Sequence, residues 1–222
     1  ALYILQHHSQ LIKEVLFSKQ VDKKIFSQFA KLNKPITVVD NKKAQSLAQG
    51  GNHQGFFLDI EPIEFLPVKS VKNLNSILVL DEITDVGNIG AITRTAYSFG
   101  YEAIILTGIQ NINTSAVIRS SSGAALDIPI IITKNCFDLV NELKQYGFSL
   151  YGAHMQGIDL EEIKKVDSKF ALIMGSEGRG LHPKLQQKLD TKVSIAMNNE
   201  FDSLNVSVAA GILMYSLGKK RC

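Results

Sequence analysis

Six short apolar runs in the last two-thirds of this chain constrain its fold more than any other feature: residues 77–80, 103–106, 128–133, 149–153, 171–174 and 192–197. Helical patterns separate them, over residues 89–98, 114–121, 137–145, 184–189 and 204–217. Several of the runs are continuously apolar, as strands covered on both faces must be. Strands alternating with helices predict a doubly wound, mostly parallel α/β sheet with ligands at the carboxyl ends of its strands. In the last helical pattern Val206, Ala209, Ala210, Leu213 and Leu217 recur at spacings of three and four, which makes one apolar face. Ser203 stands where an N-cap is expected.

Residues 1–68 read as a smaller α/β unit. Strands are expected over 13–18, 36–39 and 55–60. Helices are expected from an Asp22 cap to about residue 32, and over 41–49 before Gly50-Gly51. The same alternation implies a mostly parallel sheet here too. Residues 62–75, with Pro62 and Pro67, are the best linker, so the expected division is 1–68, a linker at 69–75, and 76–222. His53-Gln54-Gly55, after a glycine pair, is either a turn that positions the next strand or an RNA-facing loop.

The net charge of +3 says little, but its distribution says more. Residues 1–72 hold ten lysines, no arginine and six acids, a net of +4, and the remainder carries −1. A basic lobe beside a near-neutral one suits an anionic partner, and a solvated lysine face explains it equally well. No apolar run is long enough to span a membrane, and no secretory leader is legible. Cys136 and Cys222 fit no metal spacing and read as free thiols of a reducing compartment, so a cytoplasmic location is expected. The five histidines form no ligand pair, so no metal is expected.

Three loops after predicted strands carry the candidate chemistry. The first, residues 81–94, ends at Asn88, a good N-cap, and places Arg94 six residues on, in the second helical turn. Arg94 either pairs with an acid or grips a phosphate with its planar fork. The second is Gly175-Ser176-Glu177-Gly178-Arg179-Gly180. It is neither the dinucleotide fingerprint nor a P-loop, so it reads as a tight turn or a ligand loop of another kind. A carboxylate between glycines, Glu177, has little to do for packing. In the third, Asn198-Asn199-Glu200 with Ser203 and Asn205 offers donors and acceptors that orient a substrate.

Asn88-x5-Arg94, Gly175-x-Glu177-Gly178-x-Gly180 and Ser203-Leu204-Asn205-Val206-Ser207 resemble, in order, the three motifs of the SpoU (TrmH) family of RNA ribose 2′-O-methyltransferases, within the SPOUT superfamily. Residues 1–68 resemble the small ribosomal-protein-like substrate-binding domain of the branch that methylates guanosine in 23S rRNA. The resemblance implies an S-adenosylmethionine-dependent transfer to a ribose 2′-hydroxyl in rRNA, with a tRNA ribose as the second choice. It implies a parallel α/β sheet with a C-terminal trefoil knot, and a homodimer with its site at the subunit interface. By family position Arg94, Asn88, Glu177, Ser203 and Asn205 carry the chemistry. Gly175, Ser176, Ile195, Met197 and Leu204 hold the cofactor, and Ala153 lines its adenine side. The chain departs from the family at Ala196, where a proline is common. Two other readings stand beside this one: a non-enzymatic RNA-binding protein of the same fold, and a small-molecule α/β enzyme.

Overall fold

The computed structural model describes residues 1–18, 22–48, 55–198 and 203–221. They divide into two compact units, Ala1–Ile63 and Glu64–Cys222.

The first unit is a three-stranded sheet in the order β2-β1-β3. Its central strand β1 (Ile12–Phe17) buries Ile12, Val15, Leu16 and Phe17. β2 (Ile36–Val38) pairs with it in parallel, but β3 (Phe56–Ile60) pairs antiparallel, with Phe17 opposite Phe56. The expected mostly parallel arrangement is therefore half wrong. Helix α3 (Asn41–Ala48) follows β2, whose Val38 lies beside Phe17, and β3 begins at Phe56 beside the same residue, so β3 starts at the end of the sheet where β1 and β2 finish and runs back. A short N-terminal helix α1 (Leu2–His7) precedes β1. Helix α2 (Lys23–Ala30) begins at Asp22, whose side chain accepts from the Lys24 amide at 2.7 Å, as the sequence predicts. Phe29 of α2 meets Phe17 edge-on at 5.9 Å. His53 and Gln54 lie outside the described residues.

The second unit is a six-stranded parallel sheet in the order β6-β5-β4-β8-β7-β9. β4 is Ser76–Asp81, β5 Ala103–Thr107 and β6 Ile130–Thr133. β7 is Ser149–Asp159, β8 Phe170–Met174 and β9 Thr191–Ser194. β5 and β8 are buried at every position, the burial that their unbroken apolar sequences require. Strand order reverses between β4 and β8, which is where a doubly wound sheet opens a crevice. β7 runs past residue 153 to Asp159 because its pairing with β9 breaks between Ala153 and Ile158 and resumes beyond. Residues 64–75 pack with this unit. They form a 3-10 helix over Val68–Asn73, and Val71 enters the core.

Helices α4 (Val86–Ser98), α5 (Thr114–Ser120), α6 (Cys136–Gln145), α7 (Pro183–Gln186) and α8 (Val206–Lys219) flank the sheet. Two caps differ from expectation. Asp85, not Asn88, caps α4, and Asn205, not Ser203, caps α8. Each loop offers two competent cap residues a turn or less apart, and the one whose oxygen reaches the open amides wins. Arg94 consequently lies in the third turn of α4 rather than the second. The knot implied by the resemblance depends on the path from β9 to α8, which runs through residues 199–202, outside the described residues.

Candidate active site

The site is assembled from the ends of β4, β8 and β9. β4 ends at Asp81, and a short loop reaches Asp85, whose carboxylate accepts from the Asn88 amide at 2.7 Å. That bond fixes the first turn of α4 and holds the Asn88 side chain half-buried at the helix start. After β8 the chain turns through Gly175 to Gly180. The Gly180 amide donates to the Ser176 carbonyl at 2.9 Å, and the two residues bridge the loop. A Cβ on Gly175 would sit 2.2 Å from the Gly180 carbonyl carbon, so only glycine lets the loop close this tightly.

Closure projects Glu177 outward, where it meets the other two motifs. Its Oε1 accepts from Asn205 Nδ2 at 3.0 Å, from the Val206 amide at 3.2 Å and from Asn88 Nδ2 at 3.3 Å. Asn205 Nδ2 also approaches Asn88 Oδ1 at 3.2 Å. Asn205 Oδ1 accepts from the Ser207 amide at 3.0 Å and caps α8. The Glu177 carboxylate thus sits at the N-terminus of α8, where the aligned peptide dipoles favour negative charge. Residues 88, 177 and 205, far apart in sequence, form one hydrogen-bonded cluster.

Arg94 does not join it. Six residues along an α-helix turn it about 120° from Asn88 and carry it about 9 Å along the axis. Its Nη1 donates instead to Ser122 Oγ at 3.2 Å, at the end of α5. Ser203 is exposed two residues before the cap. Among the expected cofactor residues, Gly175 and Ser176 form the closed loop, and Ile195 follows β9 directly. Met197 and Leu204 stand on either side of the undescribed stretch, 40% and 36% exposed. Ala153 pairs with Val193 where the β7 ladder breaks. Asn198 is exposed, and Asn199 and Glu200 lie outside the described residues. Two open cavities of about 500 and 550 Å³ lie toward the ends of β4, β5 and β6. Neither is lined by Asn88, Glu177 or Asn205.

Sequence reasoning overlooked Asp85, Ser122 and the weak, exposed pair of Arg179 with Glu82 at 3.9 Å. The run Ser120-Ser121-Ser122-Gly123 was the available signal for the second of these. Cys136 is buried, and burial, with Asp81 nearby, pushes its thiol up to about 12, so it is no nucleophile at neutral pH. Among the described residues no group of three or more His, Cys, Asp and Glu side chains could hold a metal ion, and no helix is long and apolar enough to cross a membrane.

Residues 75–215 match the SpoU rRNA Methylase family, and residues 2–66 match the family described as RNA 2′-O ribose methyltransferase substrate binding. The chain belongs to the SpoU family. An uncharacterized tRNA/rRNA methyltransferase of Borreliella burgdorferi is 34% identical over 212 residues, covering 89% of this chain and 93% of that protein. A TrmH family tRNA/rRNA methyltransferase of Staphylococcus aureus is 29% identical, covering 95% and 89%. Among solved structures, an AdoMet-bound rRNA methyltransferase from Sinorhizobium meliloti superposes with a TM-score of 0.77 at 24% identity, covering 94% of this chain and 80% of that one. The SpoU methyltransferase AviRb from Streptomyces viridochromogenes gives 0.79 at 18%, covering 98% and 85%. These likenesses show the fold. As a SpoU-family enzyme, the chain is an S-adenosylmethionine-dependent RNA 2′-O-ribose methyltransferase.

Proposed function

We propose that this enzyme methylates a ribose of large-subunit rRNA, most specifically a guanosine, with a tRNA ribose as the competing substrate. The observation that carries the site assignment is the joining of Asn88, Glu177 and Asn205 in one exposed cluster. S-adenosylmethionine, when bound, supplies the sulfonium methyl. Gly175, Ser176, Ile195, Met197 and Leu204 hold it through backbone groups and the two exposed apolar side chains, with Ala153 on its adenine side. The tight Gly175–Gly180 contact fits this role, because backbone that must approach a ligand closely has no room for Cβ atoms.

Bound S-adenosylmethionine would give its methyl to the ribose 2′-oxygen and leave as the thioether, with the hydroxyl proton passing to solvent, so orientation of the hydroxyl by this chain's residues supplies much of the rate. Glu177, Asn88, Asn205 and Ser203 orient the ribose. Arg94 is a permanent cation and a poor base. It clamps the neighbouring phosphate and stabilises charge developing on the 2′-oxygen. Arg94→Lys, which keeps the charge and loses the fork, is expected to lower kcat/KM about tenfold or more. Wild-type turnover in that variant would remove the clamp from the mechanism.

The substrate class rests on the basic first unit, whose eight lysines against five acids suit a phosphate backbone, and on the family match over residues 2–66. A homodimer rests on α8. Its buried face is Val206, Ala210, Leu213, Met214 and Leu217, yet Val208, Ile212 and Tyr215 form a second apolar stripe, 39–51% exposed. Tyr97 and Phe99 at the end of α4 extend it, and Phe99 packs on Tyr215 at 5.4 Å. Sedimentation should show a dimer, and a fully active monomer would refute this. Purified protein, tritiated S-adenosylmethionine and unmodified large-subunit rRNA or tRNA decide the substrate. Label mapping to one rRNA guanosine supports the proposal, and label on tRNA alone overturns it.

A further inference from the structure

We infer that Ser122 is a positioning residue whose hydroxyl fixes the direction of the Arg94 guanidinium, an inference that rests on the role proposed for Arg94. Three observations carry it. First, Ser122 Oγ accepts from Arg94 Nη1 at 3.2 Å, and Arg94 makes no bond to the Asn88–Glu177–Asn205 cluster. Second, Ser122 has φ +57°, in the left-handed region that L residues avoid and glycine adopts freely. The next residue, Gly123, has φ +102°. Glycine at 122 would satisfy the backbone at less cost, so the chain keeps at this point a side chain that the turn itself does not need.

Third, the neighbours hold Ser122 in place. Ser120 Oγ lies 2.9 Å from the Val86 carbonyl and 2.8 Å from the Ala116 carbonyl. A Cβ on Gly90 would fall 1.9 Å from that same hydroxyl, so α5 seats directly against the backbone of α4. Buried Ser121 accepts from the Ala125 amide at 3.1 Å and donates to the Ile118 carbonyl at 3.2 Å. The Gly123 amide closes the turn on the Ile118 carbonyl at 2.8 Å. Ser120 thus ties α5 to the helix that bears Arg94, Ser121 braces the turn itself, and Ser122 presents its hydroxyl to the guanidinium. A strained residue held by its surroundings is the usual mark of a site where geometry has been set for a task.

The test separates positioning from mere structure. In Ser122→Gly the backbone strain is relieved while the hydroxyl is lost. The melting temperature is expected to hold or rise by about 2–4 °C. Over the same change kcat is expected to fall roughly ten- to a hundredfold with little change in KM. Ser122→Asn should recover most of the rate, because asparagine tolerates the left-handed region and carries an acceptor oxygen. In an Arg94→Ala background Ser122→Gly should cost nothing further. Wild-type kcat in Ser122→Gly, an equal loss without Arg94, or parallel falls in kcat and melting temperature would each overturn the inference. A second readout needs no catalysis. Nitrogen-15 spectra of the guanidinium should show hindered Arg94 rotation in the wild type and averaged signals in Ser122→Gly; averaged signals in the wild type overturn the inference. A wild-type enzyme that methylates no RNA would count against the functional reading instead, with the spectra still judging Ser122.

Discussion

Helix α4 gives two side chains of the proposed site opposite surroundings. Asn88, in its first turn, is tied into Glu177 and Asn205, so it has partners from two other motifs. Arg94, two turns later and a third of a revolution away, meets among the described residues the hydroxyl of Ser122. The difference teaches how the site divides its labour. The amide–carboxylate cluster is interlocked, and each member holds the others in place. The arginine is exposed and, among the described residues, its guanidinium is steadied by Ser122, as the proposed phosphate clamp requires.

That contrast predicts where damage is greatest. Glu177→Ala removes one acceptor from three donors at once, and kcat/KM should fall about a hundredfold or more. A loss below fivefold would mean that the cluster is only a surface network. Gly175→Ala comes next. Its Cβ would meet the Gly180 carbonyl carbon and oxygen at 2.2 and 2.4 Å. The loop must open, and titration calorimetry should show S-adenosylmethionine affinity at least about tenfold weaker. Asn205→Ala tests the cap. Loss of the α8 N-cap should cost about 1 kcal/mol, a melting temperature about 2–4 °C lower.

The smallest effect lies away from the site. The Cys136 thiol has an ordinary value of 9.0 that burial and Asp81 push up to about 12 in the folded chain. The stability contributed by its protonated form is complete below pH 9 and is lost as pH rises toward 12. Melting curves at pH 8 and pH 10.5 should therefore differ less in Cys136→Ala than in the wild type.

Much of this was legible in the residues. The unbroken apolar runs gave the parallel sheet of the second unit because strands covered on both faces leave no polar alternation to read. The members of the cluster stood out because glycines flank Glu177 and because amides gather before α8. Directions in space were harder. The caps moved from Asn88 to Asp85 and from Ser203 to Asn205, since several good cap residues stand close together and only the path of the chain chooses among them. β3 turned antiparallel because it starts at the end of the sheet where β1 and β2 finish. The separation of Arg94 from Asn88 follows from helical phase alone and could have been counted. Ser122 could not, because its meeting with Arg94 joins α4 to the end of α5 through the fold.

The most direct test of the central claim is the chemical position of the transferred methyl group. RNA labelled from tritiated S-adenosylmethionine by the wild-type enzyme would be hydrolysed in alkali, which needs a free 2′-hydroxyl to cut the chain. Label in alkali-resistant dinucleotides, lost in Glu177→Ala, is the predicted result. Label in single nucleotides would place the methyl on a base and contradict the account.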